Sequence, residues 1–578
     1  MKKIIIPIII AVMACACDTL DQRPGDKLFE DNAFQTEADL ELYTNSFYSM
    51  FPSAYNIFYG DRLSDNFAPI SISKFLLGSY TAQDGSGWSW GALRNVNYFL
   101  AHFDNPSIPE EARLHYGALA RFMRAVFYFD KVKRFGDVPW YDTPLDYDDP
   151  LLYKAQDSRE FIMDKVLEDL NFACEHLRTR DGGRLTDTDC SVVDRYVALA
   201  IKSRICLFEG TWRKYHALSA APGPDTWFDE AIDAASKVME SKVFSLADDY
   251  ASLFLSENAP AEEVILAIVH SSPYQIYHAA NWYWTSPSYG ECLGLTHQFV
   301  NTYLCSDGSR YTDKPGYDDA EFQDEVRNRD GRLAKTIRCG SYIRSDGRNY
   351  APDFGSCTTG YQVRKWVVDD VTLDSRSMCV TAVPYVRYAE VLLNYAEARA
   401  ERGTFTSEDW DKTIRQLRNR AGIVSANMPS AADSYLQTEY FPDITDPVLL
   451  EIRRERGVEL VAEGQRYDDI RRWKRGELMT KEYQGIYVPS IDIPLDLNED
   501  GTADVTFVKK SSWQVNTYQV LIGSKYVLSQ GTYGRVIYKA NATDSSPRVW
   551  EDKMYLYPVP YDEIIINPNL VQNPGWEY

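Results

Sequence analysis

Two stretches of the chain place large rings beside planar polar groups. One is Trp88-Ser-Trp90-Gly-Ala-Leu-Arg94-Asn-Val-Asn97, and the other is Asn281-Trp282-Tyr283-Trp284-Thr-Ser-Pro-Ser-Tyr289. Asp61-Arg62 and Asp65-Asn66 precede the first. A ring face is complementary to the C–H face of a neutral sugar, and guanidinium, amide and carboxylate groups match its hydroxyls. The chemistry these residues suit is recognition rather than bond breaking. In the second stretch, strand-like alternation would put Trp282 and Trp284 on one exposed face and Tyr283 on the other. Trp90, Arg94 and Asn97 also fit a packing role, as groups that lock a helix start to its neighbour.

Motifs for covalent chemistry are absent. Seven His residues form no His-Glu-x-x-His, and neither a Gly-x-x-x-x-Gly-Lys phosphate loop nor a Gly-x-Ser-x-Gly nucleophile elbow occurs. No Cys-x-x-Cys pair suggests zinc; no cofactor is expected, and a structural cation is left open. Carboxylate pairs of glycosidase type are defined by spatial separation, so a glycoside hydrolase stands as an alternative reading.

The elements that must hold these groups are helical. Pro384 to Ala400 is apolar over most of its circumference, which marks a buried helix, with Pro384 suiting its first turn. Arg387, Glu390, Asn394, Glu397 and Glu401 step by three and four along one seam. From Leu449 to Trp473, Glu451, Glu455, Glu459 and Glu463 repeat every four residues, with Asp446-Pro447 as the start signal. Like charges at that spacing repel, so the surrounding arginines are expected to pair with them in a buried network joining the two segments.

Upstream, helices are predicted over 37–51 (capped by Thr36), 90–103, 110–135, 158–177, 191–208 and 227–241. They resemble helix pairs of tetratricopeptide type, over about 38–103, 111–178, 190–241 and 384–421. The helical period fails over 243–383 and again over 483–548, where Val264–Val269, Val505–Val508 and Tyr518–Ile522 read as short strands. The fold class is therefore mainly α, a tetratricopeptide-like helix-pair scaffold with loop-rich insertions containing a few short strands. The net charge of −23 over 578 residues excludes a basic nucleic-acid-binding face and adsorption on anionic lipid.

Tyr388-Ala-Glu-Val-Leu-Leu-Asn-Tyr-Ala-Glu-Ala, Leu417-Arg-Asn-Arg-Ala-Gly-Ile and Glu455-Arg-Gly-Val-Glu-Leu-Val-Ala-Glu-Gly-Gln-Arg-Tyr-Asp-Asp-Ile-Arg-Arg-Trp473 strongly resemble the C-terminal half of SusD/RagB proteins. The ending Met554-Tyr-Leu-Tyr-Pro-Val-Pro with Asn567-Pro-Asn-Leu-Val-Gln-Asn-Pro-Gly-Trp576 agrees with it. The resemblance implies an outer-membrane lipoprotein of Bacteroidota, facing the cell exterior, that binds a glycan and passes it to a SusC-like TonB-dependent transporter. Its RagB side offers a peptide ligand as the alternative. It implies ligand contacts from loops around Trp90–Asn97, by motif, and around 281–289, by position. The expected ligand-binding set is Asp65, Trp88, Trp90, Arg94, Asn97, Trp282, Tyr283, Trp284 and Tyr289.

The N-terminus suits that reading. Lys2 and Lys3 precede an apolar run over Ile4–Met13, too short to span a bilayer comfortably, followed by Ala14-Cys15-Ala16-Cys17. Cys17, before Asp18-Thr-Leu-Asp-Gln-Arg-Pro24, is the expected acylation site, with Cys15 as the alternative; acyl chains would anchor the chain to outer-membrane lipid. The expected division is residues 1–16 as signal peptide, 17–242 as helix-pair region, 243–383 as loop-rich insertion and 384–578 as C-terminal region.

Overall fold

A computed structural model describes residues 33–182, 189–219, 221–540 and 547–577. The signal segment, Cys15 and Cys17 lie outside the described residues. The N-terminal helices form where their caps predict. Helix α1 (Glu37–Asn45) starts at Thr36, whose hydroxyl and the Asp39 carboxylate satisfy each other's backbone N–H groups. Trp90 is the N-cap residue of α2 (Gly91–His102), and α3 (Glu110–Phe135) ends at Gly136 in a positive-φ conformation. Ser158 caps α4 (Arg159–His176). Asp194 caps α5 (Arg195–Tyr215), which starts later and runs further than the apolar pattern suggested. Helix α6 (Pro224–Ser241) completes the series, with Pro224 in its first turn.

Helix α3 packs on α4 and α5 on α6, as the helix pairing anticipates. Strand β1 (Val264–Ile268) follows α6, then the six-residue helix α7 (Ala280–Thr285). The Pro384 region departs from expectation. Val383–Arg387 is a strand, β2, antiparallel to β1, and the helix α8 (Tyr388–Glu401) begins only after it. The ladder shifts register between Leu266 and Ala267, and Pro384 lies opposite Ala267, so its missing N–H falls where the pairing is already irregular. Helix α8 then packs chiefly on α6 and on α10 (Pro447–Glu459), and only lightly on α9 (Ile414–Arg420).

The Glu stripe also breaks once. Helix α10 ends at Glu459; Ala462 and Gly464 take positive φ, and α11 (Arg466–Arg472) starts afresh. Glu463 therefore sits in a turn, yet its carboxylate still reaches Arg387 at 2.8 Å. Beyond α11, β3 (Tyr483–Val488), β4 (Val505–Val508), β5 (Tyr518–Leu521), β6 (Tyr526–Leu528) and β7 (Gly534–Tyr538) form two small sheets, ordered β3–β7–β6 and, with Pro494–Leu495, (494–495)–β4–β5. Helix α12 (Tyr561–Ile566) lies near the C-terminus. Among the described residues, no helix is long and apolar enough to cross a membrane.

Among the described residues, two large apolar cores and three small clusters result. One is built from α1–α6, α8 and most of α10; the other from the insertion and the small sheets. Strand β2 supplies Val386 to the first and Val383 to the second, and Leu450 and Val458 divide α10 in the same way. The expected ion-pair network lies along this seam. Arg387 bonds Glu263 (2.9 Å), Glu459 (2.6 Å) and Glu463. Arg332 joins Glu455 (2.6 Å) and Glu459 (2.8 Å), Arg418 joins Glu451 and Glu455, and Arg420 joins Glu263. The polar seam of α8 is matched group for group: Glu390 to Arg204, Asn394 to Arg456, Glu397 to Arg472 and Glu401 to Arg453. Burial alone would raise the Glu397 carboxyl, but the Arg472, Arg456 and Arg453 guanidiniums overcome it and hold it down at about 2. Glu459 is likewise held well below the ordinary carboxylate range by Arg420, Arg387 and Arg332 against its burial.

Two outcomes are expected. Arg387→Ala takes the shared guanidinium away from three buried carboxylates and destabilises the fold by about 3–5 kcal/mol, read as a lowered urea midpoint; an unchanged midpoint would show a solvated seam. Because Glu397 titrates near 2 when folded but near the ordinary glutamate value of 4.5 when unfolded, the unfolded chain takes up protons that the folded chain refuses. The stability from this group is complete above about pH 5 and is lost as pH falls towards about 2, so urea midpoints measured from pH 7 down to pH 3 decline in that lower window.

Candidate functional site

The structure separates the two ring-bearing stretches. Trp88 and Trp90 pack on the first core, whereas Tyr283, Trp284 and Tyr289 belong to the second. The 281–289 stretch is not strand-like. Its first half is helix α7, in which residues two apart point about 200° away from each other, so Trp282 and Trp284 diverge. Trp284 is 3% exposed, with its ring 5.9 Å from Phe67 and 5.1 Å from Tyr283. Its expected exposure is overturned: a side chain facing the core is the one this helix needs to bury. Tyr283 is buried too, with its ring edge-on to Tyr59 at 5.0 Å and to Tyr55 at 5.8 Å. Asn281 is fully buried and exchanges hydrogen bonds of 3.0 Å with the backbone of Val368, which fixes the start of the helix.

Trp282 and Tyr289 remain half-buried. Their rings stack at 4.0 Å with an interplanar angle of 18°. Gly290 makes the turn that brings Tyr289 back: it has φ +88°, and a Cβ there would lie 2.6 Å from the Tyr283 carbonyl oxygen. Beside Tyr283, exposed Tyr55 stacks on Tyr59 at 4.6 Å and 25°. Tyr59 donates its hydroxyl to Glu291 Oε1 at 3.0 Å, and the Arg62 guanidinium meets the same oxygen at 3.0 Å. Burial and the adjacent Glu291 carboxylate push the Tyr59 hydroxyl up, so it stays a donor. Glu291 Oε2 has no protein partner. The result is a discontinuous ring shelf, Tyr55–Tyr59 and Trp282–Tyr289, with buried Tyr283 edge-on to the first couple and the Arg62–Glu291 pair at its edge.

Asp65 does not face this shelf as a free carboxylate. Its side chain is 4% exposed and accepts two 2.8 Å hydrogen bonds from Arg466. Asp61, buried beside it, accepts from the Arg466 backbone N–H at 3.0 Å. Gly60 and Gly464 approach so closely that a Cβ on Gly60 would stand 2.7 Å from the Gly464 Cα. Asp65 thus positions the segment that carries Tyr55, Tyr59 and Arg62. Those three residues and Glu291 lay outside the expected set; the helical i, i+4 spacing of Tyr55 and Tyr59 was the available signal.

The Trp88–Asn97 stretch lines a separate cavity of about 270 Å³ with Tyr141, Leu145, Leu152, Ile566 and Leu570. Trp88 is 7% exposed and packs edge-on against Phe135 and Trp90, so it is core rather than ligand surface. Trp90 is half-buried, edge-on to Tyr141 at 5.6 Å, with the Lys131 ammonium 5.2 Å from its ring. Arg94 donates Nε to the Leu145 carbonyl at 3.1 Å, and Asn97 donates Nδ2 to the Tyr141 carbonyl at 2.9 Å. The packing role expected of these polar groups is realised, since both tie α2 to the 139–152 loop. Among the described residues, no group of three or more His, Cys, Asp and Glu is arranged to hold a metal ion.

The model of the SusD family matches residues 263–576, more than half of the chain. Two SusD-like proteins of Formosa agariphila are each 22% identical to it. For P2 the alignment covers 82% of this chain and 92% of the relative; for P25 it covers 46% of this chain and about half, 51%, of the relative. A solved SusD-like protein of Bacteroides fragilis superimposes with a TM-score of 0.69 at 23% identity, covering 96% of this chain and 100% of that one. A second, described as a SusD-like carbohydrate-binding protein of the same species, gives 0.69 and 23%, with 93% and 99% covered. A surface glycan-binding protein of Bacteroides fluxus gives 0.58 and 18%, with 93% and 99% covered.

The burial difference between neighbouring rings yields a direct comparison. Trp284→Ala opens a cavity in the second core and costs about 3–5 kcal/mol, while Trp282→Ala costs less than about 1 kcal/mol. Guanidinium chloride unfolding of the two variants measures the gap, and equal losses would place both rings in the core.

Proposed function

The chain belongs to the SusD family, and on that premise we propose that it is a surface nutrient-binding lipoprotein that holds an oligosaccharide on the Tyr55–Tyr59–Trp282–Tyr289 shelf and delivers it to a SusC-like TonB-dependent transporter. The observation that carries the ligand class is the pair of stacked, partly exposed ring couples with an ion pair at their edge. Stacked rings present flat apolar faces of sugar size, and the partly exposed Arg62 guanidinium at their edge can donate to hydroxyls. The glycan-binding descriptions of two structural relatives support the same ligand class. Acylation at Cys17, with Cys15 as the alternative, would tether the protein to the outer membrane with the shelf facing outward. In this role no covalent bond changes, consistent with the lack of a catalytic motif in the sequence.

Titration calorimetry against a panel of oligosaccharides and peptides tests the reading. Trp282→Ala and Tyr289→Ala are expected to weaken the bound glycan about tenfold each, at unchanged melting temperature. Heat from peptides and none from any glycan would turn the assignment to a peptide ligand, and appearance of new reducing ends would turn it to a hydrolase.

A further inference from the structure

The cavity beside Trp90 has features that the sugar shelf lacks. Its walls are mostly apolar side chains, and at about 270 Å³ it has room for one bulky side chain rather than a chain of sugars. Asn97 is 1% exposed, and its Oδ1, at the cavity wall, has no hydrogen-bond partner. A buried amide oxygen left without a donor is costly, so an N–H arriving from outside would be stabilised there. The apolar lining continues onto the surface, where Leu151, Leu152, Tyr153, Ile565, Ile566 and Val571 are all exposed.

Charge narrows the occupant. The two rim segments, 141–153 and 561–571, carry Asp142, Asp146, Asp148, Asp149, Asp562 and Glu563, and neither contains a Lys or Arg. Among the described residues that line the cavity, Arg94 is the one cation, and Lys154 beside the rim is paired with Asp157 at 2.6 Å. We propose that this cavity is a docking pocket for an extended segment of a partner protein that inserts one bulky apolar or aromatic side chain between cationic residues. The inserted side chain fills the space against Trp90 and Leu152. An N–H on the inserted side chain donates to Asn97 Oδ1, and the segment's basic neighbours lie over the acidic rim. A second copy of this chain, at a net charge of −23, is the wrong partner for an acidic rim.

The probes are the capped tripeptides Ac-Lys-Trp-Lys-NH2 and Ac-Glu-Trp-Glu-NH2, titrated calorimetrically into the full mature chain at low salt. The basic peptide is expected to bind and the acidic one not. Leu152→Ser and Ile566→Ser, both at exposed positions, weaken the basic peptide about tenfold. The double reversal Asp146→Lys with Asp148→Lys weakens it and flattens its salt dependence. Glycan binding at the ring shelf stays unchanged in all of these variants, so loss of the shelf's function and loss of this pocket are told apart. The proposal is overturned if neither peptide binds, if both bind equally, or if the Ser variants bind as the unaltered chain does. It is overturned equally if sedimentation shows a dimer that Ile566→Ser disperses, because the occupant is then a second copy.

Discussion

The structure depends on a seam of buried guanidinium–carboxylate pairs between two apolar cores. Removing ions from water is expensive, and pairing in a low-dielectric interior returns that cost only with good geometry. Arg387 shows how the geometry is met: one planar fork faces Glu263, from before β1, and Glu459 and Glu463, from the end of α10 and the turn after it. Each carboxylate in turn serves a further cation, Arg420 or Arg332 among them and Lys365 for Glu463. Such a network adds specificity more than net stability. The apolar side chains on either side would tolerate small slips of one core over the other, but the forks accept one register.

That register is what places the shelf. Residues 459–466 leave the seam as a turn, and this turn grips the segment after the first helix at two points, the Gly60–Gly464 approach and the Asp61/Asp65–Arg466 contacts. Tyr55 and Tyr59 lie just ahead of those anchors, and Arg62 lies between Asp61 and Asp65. The opposing half of the shelf, Trp282 and Tyr289, is fixed by Asn281 on the Val368 backbone and by the turn at Gly290, which packs on Tyr283. A binding surface made of two loops thereby has the rigidity of the core behind it, which limits the ordering cost of capturing a flexible ligand.

The helices were legible because their signals are local. Thr36, Ser158, Asp446 and Gly136 are caps whose partners lie within four residues, and the structure uses each of them as read. The charged seam was legible as a problem: four glutamates on one stripe need cations. Which cation serves which carboxylate was not, since Glu390 is met by Arg204 from a helix nearly two hundred residues earlier. The errors share one cause. Pro384 reads equally as a helix start or as an irregular strand position, and only its partner β1 decides. Trp282 and Trp284 read as sharing a face only if the backbone is extended, and six residues are too few for periodicity to choose.

Ring abundance by itself therefore does not mark a ligand surface in this chain. Trp88 and Trp284 lie in the two stretches that pair rings with planar polar groups, and both are interior, each filling a site against Phe135 or Phe67. The partly exposed rings have instead stacked on each other, Trp282 on Tyr289 and Tyr55 on Tyr59. Stacking before the ligand arrives holds both faces flat and lowers the rotamer entropy that binding must still remove. A sequence shows rings but not which of them pair. That pairing needs the turn at Gly290 and the helical spacing of Tyr55 and Tyr59, features of backbone geometry rather than of composition.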